Sequence, residues 1–255
     1  MRLYCVKFKH IKMAILFLLV IVTLSVNING YVPASVFFNN GLREVPVYYV
    51  STDTNKVAIS FDAAWGADKT EKIMEICDEY GIKATFFLVG FWVEEHPELV
   101  KKIDEKGFEI GTHSNTHPDM TKLSKEQMKI ELETSCNLIK NITNKDVSIF
   151  RAPYGAYNDT LINTARELNL VTVQWDVDSL DWKGLSAGEI TNRVLNGVRN
   201  GSIILCHNNS DHILEALPLM LDRLQKRGYE ITTVGNVIYK KDFVVDNNGM
   251  QSQKI

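Results

Sequence analysis

Between residues 57 and 232 the hydrophobic pattern alternates between two periods, and this constrains the fold more than anything else in the chain. Short apolar runs at Val57–Phe61, Ala84–Val89, Phe108–Gly111, Ser148–Phe150, Val171–Trp175, Ser202–Cys206 and Tyr229–Thr232 have the length and composition of strands. Amphipathic stretches at 68–80, 93–106, 124–140, 158–168, 187–199 and 211–227 separate them. Ser124, with Gln127 three positions on, predicts a capping box at the start of one helix. Strand and helix in regular alternation predict an α/β fold with a mainly parallel sheet, either doubly wound or closed into a barrel. In both arrangements ligands gather at the carboxyl ends of the strands.

The ends of the chain differ from this middle. Residues 1–30 carry Arg2, Lys7, Lys9 and Lys12, no acid, and a 14-residue apolar run from Met13 to Val26. That layout predicts a signal or membrane-anchor segment, although the run is shorter than the ~20 residues of an ordinary spanning helix. An extracytoplasmic protein, secreted or held at the membrane by this segment, is the expectation. Residues 31–55 read as an irregular lead-in, 56–240 as the folded domain, and 241–255 as a polar tail, disordered over 246–254. Without the first 30 residues the formal charge moves from −3 to −7, with 24 basic residues against 31 acidic ones. Such a balance lacks the basic footprint of a nucleic-acid-binding domain. Cys77, Cys136 and Cys206 show no paired spacing, so neither a disulfide framework nor a zinc ribbon is expected.

The carboxyl ends of the strands concentrate reactive side chains. The first strand leads into "FDAAWG" and Asp62, the third into "GTHSNTH" with His113 and His117, and the fourth into "RAPYG" with Arg151. The fifth leads into "WDVDSLDW" and the sixth ends in "LCH" at His207. Each has a plainer reading: a coincidental histidine pair, a surface arginine, a turn rich in capping side chains, a satisfied core histidine. Two imidazoles converging at a strand end nonetheless suit a zinc-like ion with open positions for water and substrate. Two tryptophans around three aspartates suit a sugar-facing wall.

Together these segments, in this order and spacing, resemble the NodB-homology polysaccharide deacetylases (carbohydrate esterase family 4). The resemblance runs from about Val57 to Val237. The export segment and the short first motif are most similar to the sporulation-associated PdaB-like branch. The resemblance implies a distorted (β/α) barrel of about seven parallel strands and metal-dependent N-deacetylation of an N-acetylated, cell-wall type glycan. It implies roles residue by residue. Asp62 would be the general base and Arg151 its orienting partner, with His113 and His117 as ligands to a divalent metal, zinc above all. His207 would be the general acid, oriented by Asp181. The Tyr154 backbone N–H would bind the oxyanion, and Trp182 and Leu205 would line the acetyl pocket.

Amide hydrolysis needs an activated water, a stabilised oxyanion and a proton for nitrogen, and this set supplies each. One position departs from the pattern. The family's second aspartate, the third protein ligand to the metal, falls on Ala63, whose methyl group cannot coordinate. Two expectations follow: a deacetylase with a weakened two-histidine metal site, or a catalytically impaired glycan-binding or structural wall protein.

Overall fold

The computed structural model describes residues 43–254; the export segment expected at 1–30 lies outside them. Among the described residues no helix is long and apolar enough to cross a membrane.

The strands are β1 (Tyr49–Val50), β2 (Lys56–Ala63), β3 (Thr85–Leu88), β4 (Glu109–Thr112), β5 (Ile149–Phe150), β6 (Val171–Thr172), β7 (Val177–Asp178), β8 (Ile203–His207), β9 (Glu230–Thr232), β10 (Phe243–Val245) and β11 (Met250–Gln253). The helices are α1 (Thr70–Glu79), α2 (Gly90–Glu95), α3 (Pro97–Glu105), α4 (Lys125–Thr143), α5 (Asp159–Glu167), α6 (Ala187–Gly197), α7 (Ile213–Lys226) and α8 (Val234–Val237). Seven parallel strands, in the order β6-β5-β4-β3-β2-β8-β7, curl into a half-barrel, and β9 pairs with the start of β2.

The central strand β2 is buried on both faces, which is why it reads as a nearly continuous apolar run. Its side chains alternate. Val57, Ile59, Phe61 and Ala63 join the helix-side cluster with Ile73, Met74, Cys77 and Leu217. Ala58 joins the inner cluster with Phe87, Ile149, Val173 and Ile203, and Ser60 and Asp62 follow it on the inner face, both bonded to Arg151. The register places Asp62 level with His207 on β8 and Phe87 on β3. A parallel sheet thereby brings residues 145 positions apart to one rim.

Four local expectations are corrected. The helix over 93–106 is two helices, because Pro97 forces His96 out of helical geometry (φ −131°, ψ 49°) and starts α3 in a new direction. The strand over Val171–Trp175 stops at Thr172, and a separate β7 forms inside the segment read as a turn. The lead-in is not wholly irregular: Val47 bridges Val173, and β1 pairs with β11. Nor is the polar tail disordered, since β10 and β11 pair antiparallel and complete a three-stranded sheet with β1. Gln251 anchors it, fully buried, accepting from the Tyr239 N–H and donating to the Tyr239 carbonyl. Gly201 is required where β1 crosses, because a Cβ there would lie 1.9 Å from the Val50 carbonyl oxygen.

Candidate active site

At the carboxyl end of the sheet a cavity of about 630 Å³ is lined by Asp62, His113, His117, Tyr154, Asp181, Trp182, Leu205 and His207. Every side chain given a role from the sequence lies on this wall except Arg151, which lies beneath Asp62, and Ala63, the position that departs from the family pattern, is not part of it. Arg151 is fully buried. Its guanidinium donates to Asp62 Oδ1 at 2.7 Å, to Ser60 Oγ at 2.9 Å and to the Gln174 carbonyl at 3.2 Å, and lies 4.1 Å from the Phe87 ring centroid. Ser60 Oγ passes its own proton to the Ile204 carbonyl. Burial alone would raise the Asp62 pKa, but the charge of Arg151, helped by His113 and His207, outweighs it and holds the carboxyl below the ordinary aspartate range. Asp62 is thus an oriented carboxylate with Oδ2 left over.

The second pair joins His207, at the end of the neighbouring strand β8, to Asp181, in the short turn after β7. Asp181 Oδ1 lies 2.7 Å from His207 Nδ1, while Oδ2 accepts from the His207 backbone N–H and from Ser210 Oγ. The carboxylate accepts a hydrogen bond from Nδ1–H, so Nε2 is the working nitrogen. Burial opposes charge on His207, but the hydrogen bond and charge of Asp181 prevail and raise its pKa.

The histidine loop carries the third element. His113 Nδ1 lies 2.8 Å from the Arg151 carbonyl oxygen, which can only accept, so Nδ1 holds the proton and Nε2 a lone pair. That lone pair faces Asp62 Oδ2 at 3.5 Å. The His117 ring stands edge-on between Trp65 and Tyr154, with centroids 4.9 and 4.7 Å away, and 4.9 Å from His113. Its Nδ1 is buried with no hydrogen-bond partner. Burial, with His113 adding to it, lowers the His117 pKa to about 4, and burial also lowers that of His113. The free Nε2 of His113 and the buried, unpartnered Nδ1 of His117, with the two rings 4.9 Å apart, are donor types that suit a divalent cation. Among the described residues no group of three or more His, Cys, Asp or Glu is arranged to hold one. Ala63, whose methyl group cannot coordinate, is fully buried, belongs to the helix-side cluster and does not line the cavity.

The comparisons with known proteins agree with the fold. A family model described as polysaccharide deacetylase matches residues 49–173. A peptidoglycan-N-acetylglucosamine deacetylase of Bacillus cereus is 33% identical over 193 residues, covering 73% of this chain and 70% of its own length. The chain belongs to the polysaccharide deacetylase family. The uncharacterised protein YlxY of Bacillus subtilis is 35% identical, over 76% of this chain and 60% of YlxY. The peptidoglycan-N-acetylglucosamine deacetylase PgdA of Listeria monocytogenes is 33% identical, over 83% of this chain and 43% of PgdA. The match therefore spans less than two thirds of YlxY and less than half of PgdA. Among solved structures, a carbohydrate esterase family 4 pseudoenzyme from Bacillus anthracis superposes with a TM-score of 0.74 at 32% identity, over 77% of this chain and 70% of that one. A mutant of that pseudoenzyme with restored enzymatic activity matches equally well, with a TM-score of 0.74 at 33% identity, over 77% of this chain and 72% of that one.

Several residues in or beneath the cavity wall were not singled out from the sequence. Ser60 was legible, lying two positions before Asp62 on the same face of β2. Trp65, Asp178, Asn208 and Ser210 also line or brace the cavity. Ser210 lies three residues past His207, a short local signal.

Proposed function

We propose that this chain hydrolyses N-acetyl groups from amino sugars of a cell-wall type glycan, peptidoglycan or chitin-like, outside the cytoplasm. The observation that carries the reading is the pair of oppositely tuned groups on one cavity: Asp62 held as a carboxylate by Arg151, and His207 favoured in its protonated form by Asp181. Asp62 takes the proton of the attacking water. His207 Nε2 gives a proton to the departing amine nitrogen. The Tyr154 N–H binds the oxyanion, with Tyr154 at φ 60° turning the loop, and Leu205 and Trp182 enclose the acetyl methyl. The exposed rings of Trp65, Tyr154 and Trp182 offer apolar faces for sugar rings. His113 Nε2 and His117 would hold the divalent ion, zinc by donor type. When bound it acts as a Lewis acid toward the acetyl carbonyl and water. The N-terminal segment would deliver the domain to the wall by export or anchoring.

A second reading, a glycan-binding protein with impaired turnover, is favoured by one specific observation, the non-coordinating Ala63; the pseudoenzyme among the solved neighbours is compatible with it. Acetate release and binding are to be measured on N-acetylglucosamine oligomers, with chelator and across a zinc series, for wild type and Asp62→Asn. Release that rises with zinc and falls ~10²–10⁴-fold in Asp62→Asn supports the enzyme. Binding without acetate at any zinc level selects the second reading. Neither binding nor release overturns both.

A further inference from the structure

The two histidines are four residues apart, and the backbone between them is unfavourable: Ser114 (φ 67°) and His117 (φ 58°) both occupy the left-handed region, which non-glycine residues rarely adopt. Such a loop keeps its shape only if something outside it holds it. The Ser114 hydroxyl accepts from the His117 N–H at 3.0 Å, and Tyr154 donates to the His117 carbonyl at 3.3 Å, so both backbone groups of His117 are engaged. The middle of the loop is held from helix α4. Glu131 Oε2 accepts from the N–H of Asn115 and of Thr116, each at 2.8 Å, and Oε1 accepts from Thr116 Oγ1 at 2.6 Å. One carboxylate thus gathers three donors of the loop.

The same helix face holds the strand that leads in. Ser135, one turn after Glu131, lies 2.5 Å from Thr112 Oγ1, and its own proton goes to the Leu132 carbonyl, so Thr112 is the donor. Thr112 and Asn115–Thr116 lie on either side of His113. Met128, Leu132, Ser135 and Ile139 form the buried stripe of α4, which fixes the helix against the sheet and so fixes Glu131 relative to β4. All the hydrogen bonds of the Glu131 carboxylate go to the loop.

We infer that Glu131 is a positioning residue for the His113–His117 pair, holding the connecting loop in the left-handed geometry that sets the two imidazoles 4.9 Å apart. It touches neither ring and acts through the backbone. A glutamine can keep its carbonyl oxygen on the two N–H groups but loses the charge and turns an NH₂ donor, not an acceptor, toward the Thr116 hydroxyl, so it holds the loop partly; an alanine releases it. The consequence for a bound cation rests on the function proposed above, whereas the consequence for ring position does not.

The test uses the full chain with ¹⁵N-labelled histidine and backbone, comparing wild type, Glu131→Gln and Glu131→Ala. In Glu131→Ala the Asn115 and Thr116 amides should exchange faster with solvent and the His117 imidazole resonances should move, with Glu131→Gln between the two. Cobalt affinity, read from the visible absorption of the Co²⁺ site, should fall by about 10- to 100-fold in the alanine variant, the range found when support behind a metal ligand is removed. Faster amide exchange with unmoved His117 resonances and unchanged cobalt affinity would make Glu131 a simple brace and overturn the inference. Should the wild type take up no cobalt, the metal reading fails and the imidazole resonances alone decide on Glu131. Should Glu131→Ala fail to fold, Glu131→Gln carries the same comparison, because the residue is only partly buried.

Discussion

Ala63 and Asp62 are adjacent in sequence and on opposite faces of β2, and this alternation decides how the site responds to change. A carboxylate at position 63 begins in an apolar layer, where an unpaired charge costs several kcal/mol, unless it turns toward the rim and finds a cation. Ala63→Asp should therefore melt lower than wild type in chelator, and zinc should raise its melting temperature by more than it raises that of wild type. A zinc response no larger than that of wild type would show that the new carboxylate does not reach the ion. His113→Ala removes the imidazole whose tautomer the Arg151 carbonyl sets, and calorimetric zinc titration should show binding weakened beyond detection. Asp181 governs the acid. A histidine whose folded pKa is raised contributes stability in full below its unfolded value of about 6.5 and loses it as pH rises through the folded value. Asp181→Asn lowers the His207 pKa toward its ordinary range. The stability advantage of wild type over this variant should thus be larger at about pH 6 than at about pH 9 in urea titrations. In the deacetylation assay the basic limb of the rate profile should move to lower pH; an unshifted limb would remove His207 as the proton donor.

At the level of elements, the amphipathic helices and the apolar strands were legible because their periodicity is local. The capping box at Ser124 and Gln127 formed as expected, with both reciprocal hydrogen bonds present. The C-terminal strands were not legible, because β10 (Phe243–Val245) is apolar but only three residues long, and β11 is mostly polar and held by backbone pairing rather than by an apolar face. Their one deep anchor is Gln251. Gln251→Ala would leave the Tyr239 N–H and carbonyl unpaired in a partly buried position, at a cost of about 1–3 kcal/mol at most. A lower urea midpoint is the expected result, and an unchanged one would show that water replaces the side chain without loss. The break at Pro97 was legible in principle, since the residue before a proline is driven out of the helical region; the continuous amphipathic pattern across 93–106 concealed it.

Over the whole molecule, the sheet is an open curl rather than a closed ring. β6 and β7 are its two edges, and Val47 lies along the strand leading from β6, donating to the Thr172 carbonyl and accepting from the Gln174 N–H. Val47 is buried with Ala58, Val173 and Ile203 inside the half-barrel. Val47→Asp should lower overall stability by several kcal/mol, because the charge enters this inner cluster without a partner. Full retention of the denaturant midpoint would mean that the lead-in contributes little to the stability of the half-barrel.

The order of strands and helices, and the reactive residues at the strand ends, followed from the chain alone, because periodicity and the polarity of a parallel sheet are properties of neighbouring residues and of backbone direction. Even the opposed faces of Asp62 and Ala63 follow from the two-residue repeat of a strand. Packing decided the rest. It placed Arg151 under Asp62 from 89 residues away, Asp181 behind His207 from 26, and Glu131 behind the histidine loop from 15 and 16. Hydrogen bonds between segments far apart in sequence form only once the intervening elements have stacked, and no local pattern encodes which donor will meet which acceptor.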